Sequence, residues 1–299
     1  MRTPPAARVS RRSRRSVRRE MTGEPLGLIA GNGRFPFLAA AGARRAGRRV
    51  VALAIREEAA PELEREVDEL HWIGLGQLGR GIDILQKAGA REAVMAGQVK
   101  HRRIFSGLVP DLKLLGVLAR LAFQNTDSLI GAVADALARD GITLLPSVAF
   151  LGDQLAVAGP MTHRQPDRDE RRDVAYGEKV ARALAGMDLG QTAVVKHRAA
   201  VALEAMEGTD ETIRRAGRIA GPGTTVVKVS KPRQDMRFDV PVVGEGTLEA
   251  MREAGSRVLA LDGGRTLMID RKAFLARAEE DGVAVLGLDP ARAEAAEHE

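Results

Sequence analysis

Short apolar runs of strand length alternate with amphipathic runs of helix length from Leu26 to Leu286. No other feature constrains the fold as tightly. The first unit, "LGLIAGNGRFPFLAAAGARRAG", reads as a strand, a glycine turn and a helix, with Pro36 in the first turn, where a missing N–H costs nothing. "RRVVALAI", "ELHWIG" and "EAVMAGQV" read as further strands, with a polar helical stretch at 61–68 and a helix in "QLGRGIDILQKAGA" between them. Beyond the basic loop "KHRRIFSG" come two helical stretches, 111–123 and 127–139, and one or two strands in "GITLLPSVAFL". Strand and helix in alternation imply a parallel sheet covered by helices, a Rossmann-like half. Residues 153–178, rich in Gly, Pro and charge, read as a linker. A second α/β unit follows, with helices at 176–185, 209–219, 247–254 and 271–281. Its strands fall near 193–203, 225–230, 237–243, 258–261, 266–269 and 283–286. The fold class is therefore α/β, with two α/β domains joined by a linker. The N-terminal domain covers 21–152 and the C-terminal domain 179–299.

Composition narrows the chemistry. The absence of cysteine excludes disulfides, thiol nucleophiles and thiolate zinc sites. Eight Arg against one Glu put +7 in residues 1–20, so a net charge of +6 leaves residues 21–299 at −1. The basic character belongs to a tail, expected to be a disordered or non-native extension with Met21 as an alternative start; an arm for nucleic acid or a membrane surface is the other reading. Aromatic residues make up 3%, too few for a nucleic-acid stacking platform, so no nucleic-acid partner is expected. "LGLIAG" is too short for the apolar core of a signal peptide, and no stretch reaches membrane-spanning length.

Four stretches carry candidate chemistry. In "SKPRQDMRFDVPVVG" (230–244), Asp235, Arg237 and Asp239 alternate with Met236, Phe238 and Val240. That period of two predicts a half-buried strand with two carboxylates flanking a guanidinium on one face. Gly31, Asn32 and Gly33, followed by Arg34, sit between a strand and a helix start, where backbone N–H groups favour an anion. The full dinucleotide fingerprint is missing, because Pro36 stands where its third glycine would be. Gly97 and Gln98 end another strand, at the edge where open α/β sheets collect ligands. Lys100, His101, Arg102 and Arg103 follow them. Glu204, Glu207 and Asp210 cluster at a strand end, a donor set suited to Mg²⁺ or another divalent cation. Lys228, Lys231 and Arg237 add charge for phosphate oxygens. Carboxylates, cations and glycine turns together suit hydrolysis of a phosphoanhydride. The five histidines form no i,i+4 metal pair. "VPDLKLLGVLARLAF" (109–123) is apolar nearly all round, which suits a buried helix, a dimer contact, or a wall for acyl chains or a membrane surface.

"GLIAGNGRFP", "AGQV", Asp188-Leu189-Gly190-Gln191, "VALEAMEGTD" and "KPRQDMRFDVPVVG" occur in one order, and with them the chain resembles the LpxI type of UDP-2,3-diacylglucosamine pyrophosphatase from about Leu26 to Leu288. The resemblance implies two α/β domains with substrate between them. It implies hydrolysis of UDP-2,3-diacylglucosamine to UMP and 2,3-diacylglucosamine 1-phosphate, with a divalent cation, at the cytoplasmic face of the inner membrane. It also implies a homodimer with peripheral membrane contact. The family's essential aspartate falls on Asp239, with Arg237 holding phosphate oxygen. Asp239, Glu207 and Asp210 are the expected metal ligands. Gly31, Asn32, Gly33, Arg34, Gly97, Gln98, Asp127, Gln191, Glu207, Gly208, Thr209, Asp210 and Lys231 are the expected substrate contacts. Two other classes stay open: a non-catalytic nucleotide-sugar or lipid-binding protein, and a Rossmann oxidoreductase.

Overall fold

The computed structural model describes residues 23–99, 109–119, 126–232 and 234–289, with the backbone alone at 126–128. The basic extension and the cluster Lys100 to Arg103 lie outside the described residues.

The N-terminal half is a five-stranded, all-parallel sheet. Its strands are β1 (Pro25–Ala30), β2 (Arg49–Ile55), β3 (Glu69–Ile73), β4 (Glu92–Ala96) and β5 (Thr143–Leu144), in the order β3-β2-β1-β4-β5. Strand addition reverses between β1 and β4, so the carboxyl ends of those two strands form a switch point. Among the described residues, four helices accompany the sheet: α1 (Phe35–Arg45), α2 (Leu78–Lys87), α3 (Leu112–Leu118) and α4 (Thr126–Arg139). Strand β2 explains why this region reads as a continuous apolar run. Val50, Ala52 and Ala54 enter the core under α1, while Val51 and Leu53 enter the opposite core with Ile82, Leu85 and Leu137. Both faces of a parallel sheet are buried, so neither alternate set is polar.

The C-terminal half is a six-stranded mixed sheet. It contains β6 (Gly159–Pro160), β7 (Thr192–Lys196), β8 (Ala199–Leu203), β9 (Thr225–Lys228), β11 (Val258–Asp262) and β13 (Ala284–Leu288), in the order β6-β13-β11-β9-β7-β8. Strands β9, β11 and β13 run parallel, and β6, β7 and β8 join antiparallel. Strands β10 (Val242–Val243) and β12 (Leu267–Met268) form a separate parallel pair. Helix α5 (Arg168–Gly186) covers one face; α6 (Thr209–Ala220), α7 (Glu245–Ala254) and α8 (Arg271–Glu280) cover the other.

Three expectations change. Residues 153–178 are integral to the second sheet: β6 pairs with β13, and α5 begins at Arg168. The cause of the early start is a capping box, in which Asp167 accepts from the Glu170 N–H and Glu170 accepts from that of Asp167. The strand expected at 237–243 shrinks to Val242–Val243, because the Phe238 and Asp239 N–H groups both donate to the Asp235 carbonyl and fold the segment into a turn. The stretch at 61–68 forms a 3₁₀ turn at Pro61–Arg65.

The β7–β8 hairpin closes through His197 and Arg198, both left-handed, with φ of 52° and 59°. A two-residue loop with both φ positive matches the twist of its strands but strains residues that carry a Cβ. The buried Asp173 carboxylate holds it, accepting from both backbone N–H groups at 2.9 and 2.6 Å. Replacing the pair with His197→Asn and Arg198→Gly removes that strain. It is expected to raise stability by about 1 kcal/mol. A thermal melt should shift up by about 2 to 4 °C; an unchanged or lower midpoint contradicts this account of the turn.

Candidate active site

A cleft of about 990 Å³ opens between the two halves. Four helices begin at its wall. Helix α1 brings Arg34; α6 brings Gly208 to Glu211; α7 brings Gly244 to Leu248; α8 brings Asp270. None of the four is capped by its own N-cap side chain. The first N–H groups of a helix have no partner within it, and its dipole is positive at that end. Four such ends around one cavity favour an anion there.

The floor is polar and buried. Lys228 ends β9 with only 4% of its surface exposed and donates to Thr209 Oγ1 at 2.6 Å. Thr209 in turn donates to Glu204 Oε1 at 2.8 Å, and the other Glu204 oxygen accepts from the Gln191 backbone N–H at 3.2 Å. Burial pushes the Lys228 ammonium below the usual lysine range, against the pull of Glu204, Asp210 and Asp239. Two other cations line the cleft, and both are paired. Arg34 meets Asp270 across the domain boundary at 3.0 Å, and Arg277 meets Asp281 at 2.9 Å. Among the described residues Lys228 has no carboxylate within 4 Å.

Asp239 reaches the cleft from the loop between β9 and β10. Lys231 Nζ sits between Asp239 Oδ2, at 3.1 Å, and Asp188 Oδ1, at 2.7 Å. Gln234 clasps the loop, accepting from the Lys231 N–H at 2.6 Å and donating to the Asp239 carbonyl. Lys231 therefore fixes the Asp239 carboxylate and does not line the cleft. Arg237 does not line it either. Its guanidinium binds Asp235 in a bidentate pair, with distances of 2.9 and 2.7 Å, which holds the Asp235 carboxyl below the usual carboxylate range. Asp235 and Asp239 thus do not flank one guanidinium, as strand periodicity predicted.

Of the other expected contacts, Gln98, Gln191, Glu207, Gly208, Thr209 and Asp210 line the cleft with Arg34. Gly31, Asn32, Gly33 and Gly97 do not. The Gly31 and Asn32 N–H groups donate to the carbonyls of Ala96 and Gln98 at 2.9 and 2.7 Å. Both glycines are needed for that backbone contact: a Cβ on Gly31 would lie 2.5 Å from the Gln98 carbonyl oxygen, and one on Gly97, at φ of 91°, 2.5 Å from that of Asn32. The turn pair therefore docks β1 on β4 and presents Arg34 and Gln98. Asp127 lies in the first turn of α4, with its side chain outside the described residues.

The expected metal ligands share the cleft but form no cage. Among the described residues no three carboxylates or imidazoles converge as a metal-binding group. Its own backbone N–H first, and then the Arg215 guanidinium, hold Glu207 below the usual carboxylate range. Asp210 Oδ1 accepts from Thr247 at 3.0 Å. The cleft is nonetheless acidic, with seven carboxylates against three cations among its described lining residues. Glu245, Thr247 and Asp270 had not been expected there. Their signal is "VGEGTLEAM", a glycine-flanked helix start, and a lone aspartate before a helix, both common as plain capping sequence.

The LpxI N-terminal domain sequence model matches residues 25–154, and the LpxI C-terminal domain model matches residues 157–286. UDP-2,3-diacylglucosamine pyrophosphatase LpxI from Caulobacter vibrioides is 33% identical over 276 residues, 89% of this chain and 98% of that one. Among solved structures, the biotin carboxylase domain of a thermophilic 2-oxoglutarate carboxylase bound to ADP aligns at 13% identity and a TM-score of 0.26. That alignment spans 66% of this chain and 33% of the other, a likeness too weak to carry an argument. With both halves matched in order and a relative aligned over nearly its whole length, the chain belongs to the LpxI family.

Proposed function

We propose that this protein hydrolyses the diphosphate of UDP-2,3-diacylglucosamine, releasing UMP and 2,3-diacylglucosamine 1-phosphate. The observation that carries the reading is the cleft where four helix N-termini, the buried Lys228 ammonium and the Asp239 carboxylate meet. A buried cation that touches no carboxylate is costly, and a phosphate oxygen relieves that cost. The name of the Caulobacter relative supports the choice of substrate. The cleft favours this chemistry over a nicotinamide site, because the Gly31 and Asn32 N–H groups of the first glycine turn are taken up by β4 and the residues after it.

In this reading Lys228 and the helix ends hold diphosphate oxygens. Asp239, fixed by Lys231, orients water and accepts its proton as the new O–P bond forms and the bridging P–O bond breaks. The donors are all hard oxygens, which fit Mg²⁺, a cation that takes one or two carboxylates and completes its shell with phosphate and water. Asp239 and Asp210 would hold it; Glu207, neutralised by Arg215, is withdrawn from that set. When bound, the ion would offset charge between an acidic cleft and an anionic substrate and polarise the phosphoryl group. The same reading places the protein in the cytoplasm as a homodimer, with peripheral contact at the inner membrane. Exposed Val109, Leu112 and Leu115 support such contact. Among the described residues no helix is long and apolar enough to cross a membrane.

The test is UMP release from UDP-2,3-diacylglucosamine in detergent. Release is expected with Mg²⁺, a fall of about 100-fold or more with chelator, and recovery when the ion is returned. Binding of the substrate without release would favour a non-catalytic lipid- or nucleotide-sugar-binding protein. Full release in chelator would remove the cation from the reading.

A further inference from the structure

We infer that Ser147, in the N-terminal domain, is the positioning residue for the loop that carries Asp239. Its kinetic consequence rests on the hydrolase reading above; its structural consequence does not.

Among its described residues the loop lacks regular structure between β9 and β10. Its two ends are secured within its own domain. At the start, the Ser230 N–H donates to Asp262 Oδ2 at 2.7 Å, and Asp262 is fully buried and paired with Arg182 at 2.8 Å. At the far end, β10 pairs with β12. The middle is secured by the other domain. The Ser147 N–H donates to the Met236 carbonyl and its Oγ to the Arg237 carbonyl, both at 2.7 Å. Ser147 is 3% exposed, so neither bond competes with bulk water.

The segment around Ser147 is a stiff support. Leu145 donates to the Ala93 carbonyl of β4 at 2.8 Å, and the Ala149 and Leu151 N–H groups close tight turns on the carbonyls of Pro146 and Val148. Leu151 is buried. The Phe150 carbonyl packs so closely on α1 that a Cβ on Gly42 would lie 2.4 Å from its oxygen. The Asp235–Arg237 pair works on the loop side. It cinches the two residues that bracket Met236, and Asp135 on α4 of the N-terminal domain adds attraction to the Arg237 guanidinium. Two carbonyls held at consecutive residues fix the orientation of the peptide that leads, two residues later, to Asp239. The N-terminal domain thus does more than wall the cleft; it sets where the Asp239 carboxylate stands.

Three full-length variants test this: Ser147→Ala, Ser147→Thr and Arg237→Ala. Each is examined by hydrogen exchange of the amides at 234–240, by thermal melt, and by kcat and KM for UMP release. One lost hydrogen bond at a positioned carboxylate corresponds to about a tenfold effect. Ser147→Ala should speed exchange in the loop about tenfold and lower kcat about tenfold, with KM within about twofold. Ser147→Thr, which keeps the hydroxyl, should restore both. Arg237→Ala should resemble Ser147→Ala. Wild-type exchange and kcat in Ser147→Ala would overturn the inference, as would a threonine variant no better than alanine. A rise in KM as the main effect of Arg237→Ala would return Arg237 to phosphate binding and remove its part in the clamp. If wild-type protein releases no UMP, the hydrolase reading fails, and loop exchange alone decides the role of Ser147.

Discussion

Asp239→Ala is expected to lower UMP release by about 1,000-fold or more while the protein folds normally. The side chain lines the cleft from a loop, outside the apolar clusters of both sheets, so its removal opens no core cavity. What it removes is the acceptor that orients water, and with it the partner that Lys231 holds at 3.1 Å. Lys231 keeps Asp188 at 2.7 Å and Arg237 keeps Asp235 at 2.7 Å, so the loop retains both of these ion pairs. Circular dichroism should match wild type and KM should change little, because the carboxylate acts on water more than on the bound substrate. Asp239→Asn should behave alike, since an amide keeps the shape but accepts no proton. A variant that unfolds, or one that keeps wild-type turnover, contradicts the assigned role.

Lys228→Met is expected to separate activity from stability. Turnover should fall by about 100- to 1,000-fold, because the cleft loses the one cation on its floor that is not already ion-paired among the described residues. Stability should hold or rise. A buried ammonium with a single hydroxyl acceptor is a net cost, and an apolar side chain of similar length removes it. The pH dependence follows from the lowered lysine value. Between that value and the ordinary lysine range, about 10.4, the unfolded chain binds more protons than the folded one. Wild-type stability therefore gains a rising contribution from Lys228 as pH climbs through this window, and the methionine variant lacks it. Denaturant melts of the two proteins at several pH values would show their difference shrinking toward alkaline pH. A methionine variant less stable than wild type at neutral pH would mean that Glu204, Asp210 and Asp239 outweigh desolvation.

The sheets were legible because their strands are buried on both faces, so apolar runs such as "VVALAI" and "VLALD" carry the signal directly. The helix after the first glycine turn, Phe35–Arg45, was legible for the same stretch of sequence. The loop at 230–244 was not. Its period of two imitates a strand, but Pro232, Pro241 and the Asp235–Arg237 pair favour a turn, and the partner that fixes the turn, Ser147, lies 90 residues away in the other domain. The glycine turns were legible as turns, but their use in docking β1 on β4 depends on the pairing of Asn32 with Gln98 across the sheet. The start of α5 could have been found: "DRDE" is a capping box in plain sight, hidden only by the density of charge around it. Carboxylates at 204, 207, 210 and 239 were visible as acids. Which of them is committed to a guanidinium, and which opens on the cleft, depends on Arg215 and Lys231 and so on tertiary packing.

Phosphorus NMR of UDP-2,3-diacylglucosamine mixed with the wild-type protein and Mg²⁺, beside the folded Asp239→Asn variant, tests the account most directly. The two diphosphate resonances should vanish with wild type, give way to two phosphomonoester resonances, and persist with the variant. Diphosphate resonances that broaden on binding but survive in the wild-type sample would contradict hydrolysis and leave the cleft a binding site.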